Sequence, residues 1–312
     1  MILQTGLRTD LPAFYSEWFA NRLKEGFVLV RSPYDLSLVN RYELSPDVVD
    51  LIGFCTKNPS PMLQYMSLLK PFGQYWYVTI TPYGKDIEPN VPLKEHVIES
   101  FQLLSAMVGI DSIGWRYDPI LITEEYPLQR HIADFERIAS CLAGYTKVCV
   151  ISFIDLYRKV QRNFPQAREI TSAERIAIGK SFAAIGRSYG MTIKSCAEGD
   201  ELVPYGVDCS GCMTLPVYEN ALHARLNAPK QKSGRGQCLC HLHCDIGAYD
   251  TCAHLCRYCY ANTNESAVHT NRKKHDPTSP LLIGHLQPGD RVHTAKQESW
   301  LDRQLRFDVA FL

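Results

Sequence analysis

Short apolar runs alternate over the first two hundred positions with longer segments whose apolar residues recur every three or four. The runs at 27–31 (F-V-L-V-R), 51–57, 75–81, 112–118, 147–154 and 191–196 are rich in β-branched and aromatic residues and read as strands. Helical spacing fills the intervals. Segment 10–25 opens with Asp10 as N-cap and Pro12 in the first turn. Segment 93–108 places Val97, Phe101, Leu104 and Met107 on one face and stops at Gly109. Segment 127–143 behaves similarly. Segment 171–189 begins at Thr171 with Glu174 three residues on, the spacing of a capping box, and ends at Gly190.

Six strands with intervening helices predict an α/β fold with a parallel (β/α) barrel, partial and of about six strands; a doubly wound sheet is the rival. After residue 200 Gly, Pro and Cys become frequent and periodicity fades. The expected organisation is a barrel core over 1–200 and an irregular Cys-rich segment over 201–312, packed on the barrel mouth as one structural unit. In parallel α/β folds the chemistry sits at the carboxyl ends of the strands. Those ends carry Arg31; Thr56, Lys57 and Asn58; Thr79 and Thr81; Arg116 and Asp118; Ser152 and Asp155; and Cys196 and Glu198.

The 312 residues are 46% hydrophobic and carry no net charge, so no global basic field draws the chain to nucleic acid or an acidic membrane. No run approaches the roughly 20 apolar residues of a membrane span. The N-terminus lacks the layout of a signal peptide, and the cytoplasm is the expected compartment. Thiols stay reduced there, so clustered cysteines suggest metal binding or catalysis before disulfides. Of twelve cysteines, Cys55, Cys141 and Cys149 fall in strand or helix patterns and read as core; the other nine crowd into 196–259.

The sharpest signal is C-x3-C-x2-C at Cys252, Cys256 and Cys259. On a straight helix the outer two would lie about 10 Å apart along the axis, at about 1.5 Å per residue. That suits one compact centre poorly, so the segment is expected to wrap as a loop. Thiolate-only ligation fits iron–sulfur clusters or zinc. A closed zinc site wants four protein ligands and an electron-transfer [4Fe–4S] cluster four cysteines; three leave one iron open.

With Tyr258 just before Cys259, the motif resembles the signature of radical S-adenosylmethionine (SAM) enzymes. That resemblance implies a [4Fe–4S] cluster on Cys252, Cys256 and Cys259, SAM chelating the open iron, reductive cleavage of SAM to a radical initiator, and a (β/α) barrel. A reductant such as flavodoxin or ferredoxin is then required. The whole chain resembles the DUF1848 family, noted for a C-terminal cysteine cluster like the radical SAM one. The resemblance runs through R-T-D-L-P-A-F-Y (8–15), T-K-N-P-S-P-M (56–62), W-R-Y-D-P-I (115–120), C-A-E (196–198) and C-D-I-G-A-Y-D-T-C-A-H-L-C-R-Y-C-Y-A-N (244–262). The radical SAM motif usually follows the first strand; here it follows the last. Barrels are cyclic, so a segment after the last strand can occupy the same mouth.

The resemblance also implies an auxiliary cluster on Cys196, Cys212, Cys238 and Cys240. Cys209 could replace Cys212, and Cys244 could replace Cys240. Cys209 and Cys212 also make a zinc half-site, and His241, His243 and His254 could join a zinc site with Cys238, Cys240 or Cys244. Arg116 and Asp118 are candidates to grip substrate or SAM, or to form a buried salt bridge bracing the barrel. Lys57 and Asn58 are similar, and Glu198 could bind the SAM amino group or a substrate amine. Asp245 and Asn262 could tune the cluster by hydrogen bonds. Tyr249, Tyr258 and Tyr260 could shield it from water. The alternative is a non-catalytic iron–sulfur or zinc protein that binds nucleic acid or a protein partner through basic loops at 230–237 and 269–275.

Overall fold

The computed structural model describes residues 1–230, 238–242 and 244–302. His243, and all but Lys230 of the basic loop read at 230–237, lie outside them. In chain order the strands are β1 (Ile2–Gln4), β2 (Phe27–Arg31), β3 (Leu38–Glu43), β4 (Leu51–Thr56), β5 (Gly73–Thr79), β6 (Ile113–Ile120), β7 (Val148–Phe153), β8 (Thr192–Ser195), β9 (Cys244–Asp245) and β10 (Arg291–Thr294). Seven of them form one sheet in the order β8-β7-β6-β5-β4-β1-β9, with every neighbouring pair parallel. The remaining three make a second sheet, β10-β3-β2.

The expected parallel α/β sheet is therefore present, but it does not close: β8 and β9 are its two edges. The run at 27–31 is a strand, yet not of that sheet. It pairs antiparallel with β3, from Phe27 opposite Glu43 to Arg31 opposite Val39, across a short connection. Antiparallel neighbours can be joined by a short turn, whereas parallel ones need a long crossover. Arg31 consequently leaves the candidate site and pairs with Asp290 at 2.6 Å. The two strands nearest the cysteine motif, β1 and β9, are three and two residues long, too short to leave a periodic signal.

The helices follow the pattern with two corrections. Segment 10–25 is broken at Tyr15 into Leu11–Phe14 and Ser16–Glu25. The Tyr15 hydroxyl donates to the Thr251 carbonyl at 2.8 Å, which ties this break to the cysteine segment. Helix Lys94–Val108 buries Val97, Phe101 and Leu104, but Met107 is 55% exposed because it lies past the edge of the packed face. Helix Leu128–Leu142 runs as expected, and Ser172–Ser188 opens with the complete Thr171/Glu174 capping box. Aromatic rings fill the space between helices and sheet. Phe135 stacks on Trp115 of β6 with centroids 4.7 Å apart and on Phe182 at 3.7 Å. Phe54 of β4 stacks on Trp76 of β5 at 3.7 Å. Such rings each bury on the order of 150–250 Å² and dominate core energetics. Among the described residues, no helix is long and apolar enough to cross a membrane.

The loop leaving β1 lies hard against β4. A Cβ on Gly6 would stand 2.3 Å from the Cys55 carbonyl oxygen, so only glycine allows this approach. Gly6→Ala is expected to lower stability by about 1–3 kcal/mol, the usual cost of overpacking. The check is a lower urea midpoint with an unchanged m-value.

Candidate functional site

The carboxyl ends of β1 and β4 to β8, with the chain that follows β9, enclose a cavity of about 890 Å³. Eight cysteines line it: Cys55 on β4, the set Cys196, Cys212, Cys238 and Cys240, and the set Cys252, Cys256 and Cys259. The rivals Cys209 and Cys244 do not. Cys209 Sγ lies 3.8 Å from the Val207 carbonyl. The Cys244 thiol is pushed up to about 12 by burial, with a hydrogen bond to Tyr42 opposing the shift.

Cys196 directly follows β8, Cys212 lies in the loop further on, and Cys240 belongs to the later C-x-C pair; the three come together. Their Sγ atoms all lie within 4.8 Å of one another. Cys212 is 3.4 Å from Cys196 and 3.2 Å from Cys240. Cys238 also reaches the Cys240 thiol. The backbone N–H of Met213 donates to Cys240 Sγ at 3.3 Å, and the Tyr77 hydroxyl holds the Cys212 carbonyl at 2.6 Å. Three soft sulfur donors this close can hold a metal ion of the zinc or iron class.

The segment carrying Cys252, Cys256 and Cys259 is not helical. Asp250 and Leu255 adopt left-handed φ of 55°, which turns the chain back on itself. The Cys259 N–H donates to the Cys256 carbonyl at 3.0 Å, and the Ala261 N–H to Cys259 Sγ at 3.3 Å. Asn262 Nδ2 closes the loop on the Cys252 carbonyl at 2.8 Å, a bracing role consistent with its expected place beside the motif. Burial pushes all three thiols up. For Cys256 the Lys57 ammonium opposes that push.

Two carboxylates anchor this loop. Asp10 caps its own helix through Ala13 N at 3.1 Å and accepts from Lys57 N at 2.7 Å. The same group meets His254 Nε2 at 2.9 Å. His254 is thereby engaged as a structural contact, and His241 packs against the Trp300 ring at 5.5 Å. Glu88 is 1% exposed and accepts from Lys57 Nζ at 2.9 Å, Lys94 Nζ at 2.7 Å and Thr81 Oγ1 at 2.6 Å. It also takes the Tyr258 hydroxyl. Burial opposes its ionisation, but Lys57 and Lys94 outweigh burial and hold it well below the usual carboxylate range. Sequence reasoning missed Glu88: it lies in the Pro-rich stretch 82–92, which has no periodic pattern, and only the fold brings its partners together.

Arg116, Asp118, Glu198, Lys57 and Tyr258 all line the cavity, whereas Asn58 does not. Asn58 Oδ1 instead accepts from Ser60 N at 3.3 Å, starting the next helix. Arg116 is paired with Asp118, which also accepts from Ser152. Glu198 accepts from Phe153 N at 2.9 Å and pairs with Arg175 at 2.6 Å. Burial lifts Glu198 to about 7 in spite of both partners. Asp245 stands behind the cavity wall, held by Arg8 at 3.1 Å and by Leu7 N at 2.9 Å. Tyr249 and Tyr260 line the mouth. Of the three cysteines read as core, Cys149 is buried, Cys141 is exposed, and Cys55 lines the cavity beside Arg116. Those two corrections follow from side-chain direction: Cys141 lies on the outer face of its helix, and Cys55 points from β4 into the cavity.

The structure is thus a parallel α/β sheet with thiols gathered at the carboxyl ends of its strands, three of which, Cys196, Cys212 and Cys240, lie close enough together that they could hold a metal ion. The profile of the family described as Domain of unknown function (DUF1848) matches residues 2–261, and the chain belongs to that family. No curated protein matches it. Among solved structures, that of a candidate alpha-L-fucosidase from Bacteroides thetaiotaomicron aligns at 11% identity over 56% of this chain and 84% of that one. Its TM-score of 0.28 is too low to carry any argument.

Glu88→Gln leaves two buried ammonium groups without their counter-charge and is expected to cost about 3–5 kcal/mol. The wild-type contribution is complete above the unfolded carboxylate pKa of about 4.3 and fades as pH falls toward the depressed native value. Denaturant midpoints measured from pH 7 down to pH 3 should therefore fall with acid in the wild type. In the variant they should be lower at pH 7 and flatter.

Proposed function

We propose that this protein is an iron–sulfur enzyme of the radical SAM type. Cys252, Cys256 and Cys259 would hold a [4Fe–4S] cluster with one open iron, and Cys196, Cys212, Cys238 and Cys240 a second, closed one. The donor chemistry fits: each set is all sulfur, three thiols in the first and four in the second. When bound, the open-site cluster supplies the electron for reductive cleavage of SAM.

The rest of the reading concerns the chain itself. The Glu88 network fixes Tyr258 and so the loop that presents Cys256 and Cys259. Lys57 and Arg116 offer donors to a carboxylate, and Asp118 and Glu198 offer acceptors to an amino group, on the same cavity wall. Tyr249 and Tyr260 restrict water at the mouth. The cofactor carries the radical chemistry, and the protein binds, orients and excludes solvent. The parallel sheet would act as a partial barrel, with the Cys-rich segment as its cap in one structural unit. A flavodoxin- or ferredoxin-type protein would deliver the electron. The observation that carries this reading is the convergence of both cysteine sets on one cavity at the carboxyl ends of parallel strands.

Anaerobic reconstitution should give about eight irons per chain with matching sulfide, four for each cluster. Cys256→Ser should lower the count toward four and abolish reductive SAM cleavage, measured as 5′-deoxyadenosine release under dithionite. Zinc with little iron, or full turnover in Cys256→Ser, would overturn the proposal and favour a metal-stabilised binding protein.

A further inference from the structure

The guanidinium of Arg116 is a part-buried cation on the cavity that Cys55, Cys196, Cys212, Cys238 and Cys240 also line. Its side chain is 14% exposed, and its charge acts on the thiols of Cys212, Cys196 and Cys55. Strand register fixes the position, because Arg116 of β6 lies beside Thr79 of β5 and Val150 of β7. Its Cζ stands 5.5 Å from the centre of the Tyr77 ring, whose hydroxyl in turn holds the Cys212 carbonyl. Asp118, held by Ser152, pairs with the guanidinium and offsets part of its charge. A cluster bound by four thiolates carries net negative charge, and each added electron is costly in a poorly solvated site. A fixed cation beside the sulfurs reduces that cost, and its paired carboxylate restores some of it.

We propose that Arg116 is a positioning residue that raises the reduction potential of the centre at Cys196, Cys212, Cys238 and Cys240, and that Asp118 moderates the effect. This rests on the iron–sulfur reading given above. The two residues then act with opposite sign on one measurable quantity, which a brace between strands would not do.

The test is a potentiometric titration of the reconstituted full chain followed by electron paramagnetic resonance. The closed centre is read as the signal that added SAM leaves unchanged. Arg116→Gln is expected to shift its reduction equilibrium at least tenfold toward the oxidised form, which is about 59 mV for a one-electron couple. Asp118→Asn should shift it the other way, and Arg116→Lys should remain near wild type because the charge is kept. Shifts of these signs with unchanged iron content support the proposal. Potentials that stay put in Arg116→Gln and Asp118→Asn, or that move in the same direction, overturn it. Should Arg116→Gln fail to hold iron, the signs in Asp118→Asn and Arg116→Lys decide. If Cys196→Ser and Cys212→Ser remove no iron from the wild-type count, the iron–sulfur reading of this set falls first and the proposal with it.

Discussion

Eight thiols share the wall of one cavity, and burial resists the ionisation of those at Cys55, Cys252, Cys256 and Cys259. Burial drives Cys252, Cys256 and Cys259 away from the thiolate form that a metal needs. A bound metal ion reverses that balance by deprotonating a coordinating thiol. The surrounding cations work in the same direction: Lys57 acts on Cys256, and Arg116 on Cys212. Much of the polar architecture around the cavity can be understood as support for these two charges.

Lys57 is held by Glu88, which also takes Lys94, Thr81 and Tyr258. One carboxylate thus joins the end of β4, the start of a helix and the cysteine loop. Asp10 makes a parallel connection, capping the first helix while holding Lys57 N and His254. Both carboxylates are buried and fully engaged, and a buried polar network rigidifies its surroundings when every member is satisfied. The loop with the three cysteines can therefore be irregular and still hold a definite shape.

The placement of that loop follows from a two-residue strand. β9 pairs parallel with β1, Cys244 beside Leu3 and Asp245 beside Gln4. A parallel pair points both chains the same way, so the segment leaving β9 emerges at the same sheet end as the segment leaving β1. A cysteine motif after the last strand of the parallel sheet thereby reaches the cavity that the earlier strand ends form. The open edges of the sheet leave room for this late strand to join beside the first.

Local pattern alone was enough for much of the scaffold. Apolar periodicity located β4 to β8 and the long helices, and capping chemistry placed Thr171 and Asp10, because these signals depend on near neighbours in the chain. The three-cysteine motif and the polar strand ends were legible for the same reason. What the sequence could not settle needed contacts between distant segments. Phe27–Arg31 is a strand in either sheet, and only its pairing with Leu38–Glu43 decides which. Cys55 and Cys149 both lie in apolar strands, but one lines the cavity and the other is buried in the core. Glu88 gains its role only when Lys57, Lys94 and Tyr258 converge on it. Cys196, Cys212 and Cys240 become one set of ligands only when three separated segments meet. Residue type and short-range spacing fixed which chemistry the chain carries; long-range pairing, which no local pattern encodes, decided which groups share a site.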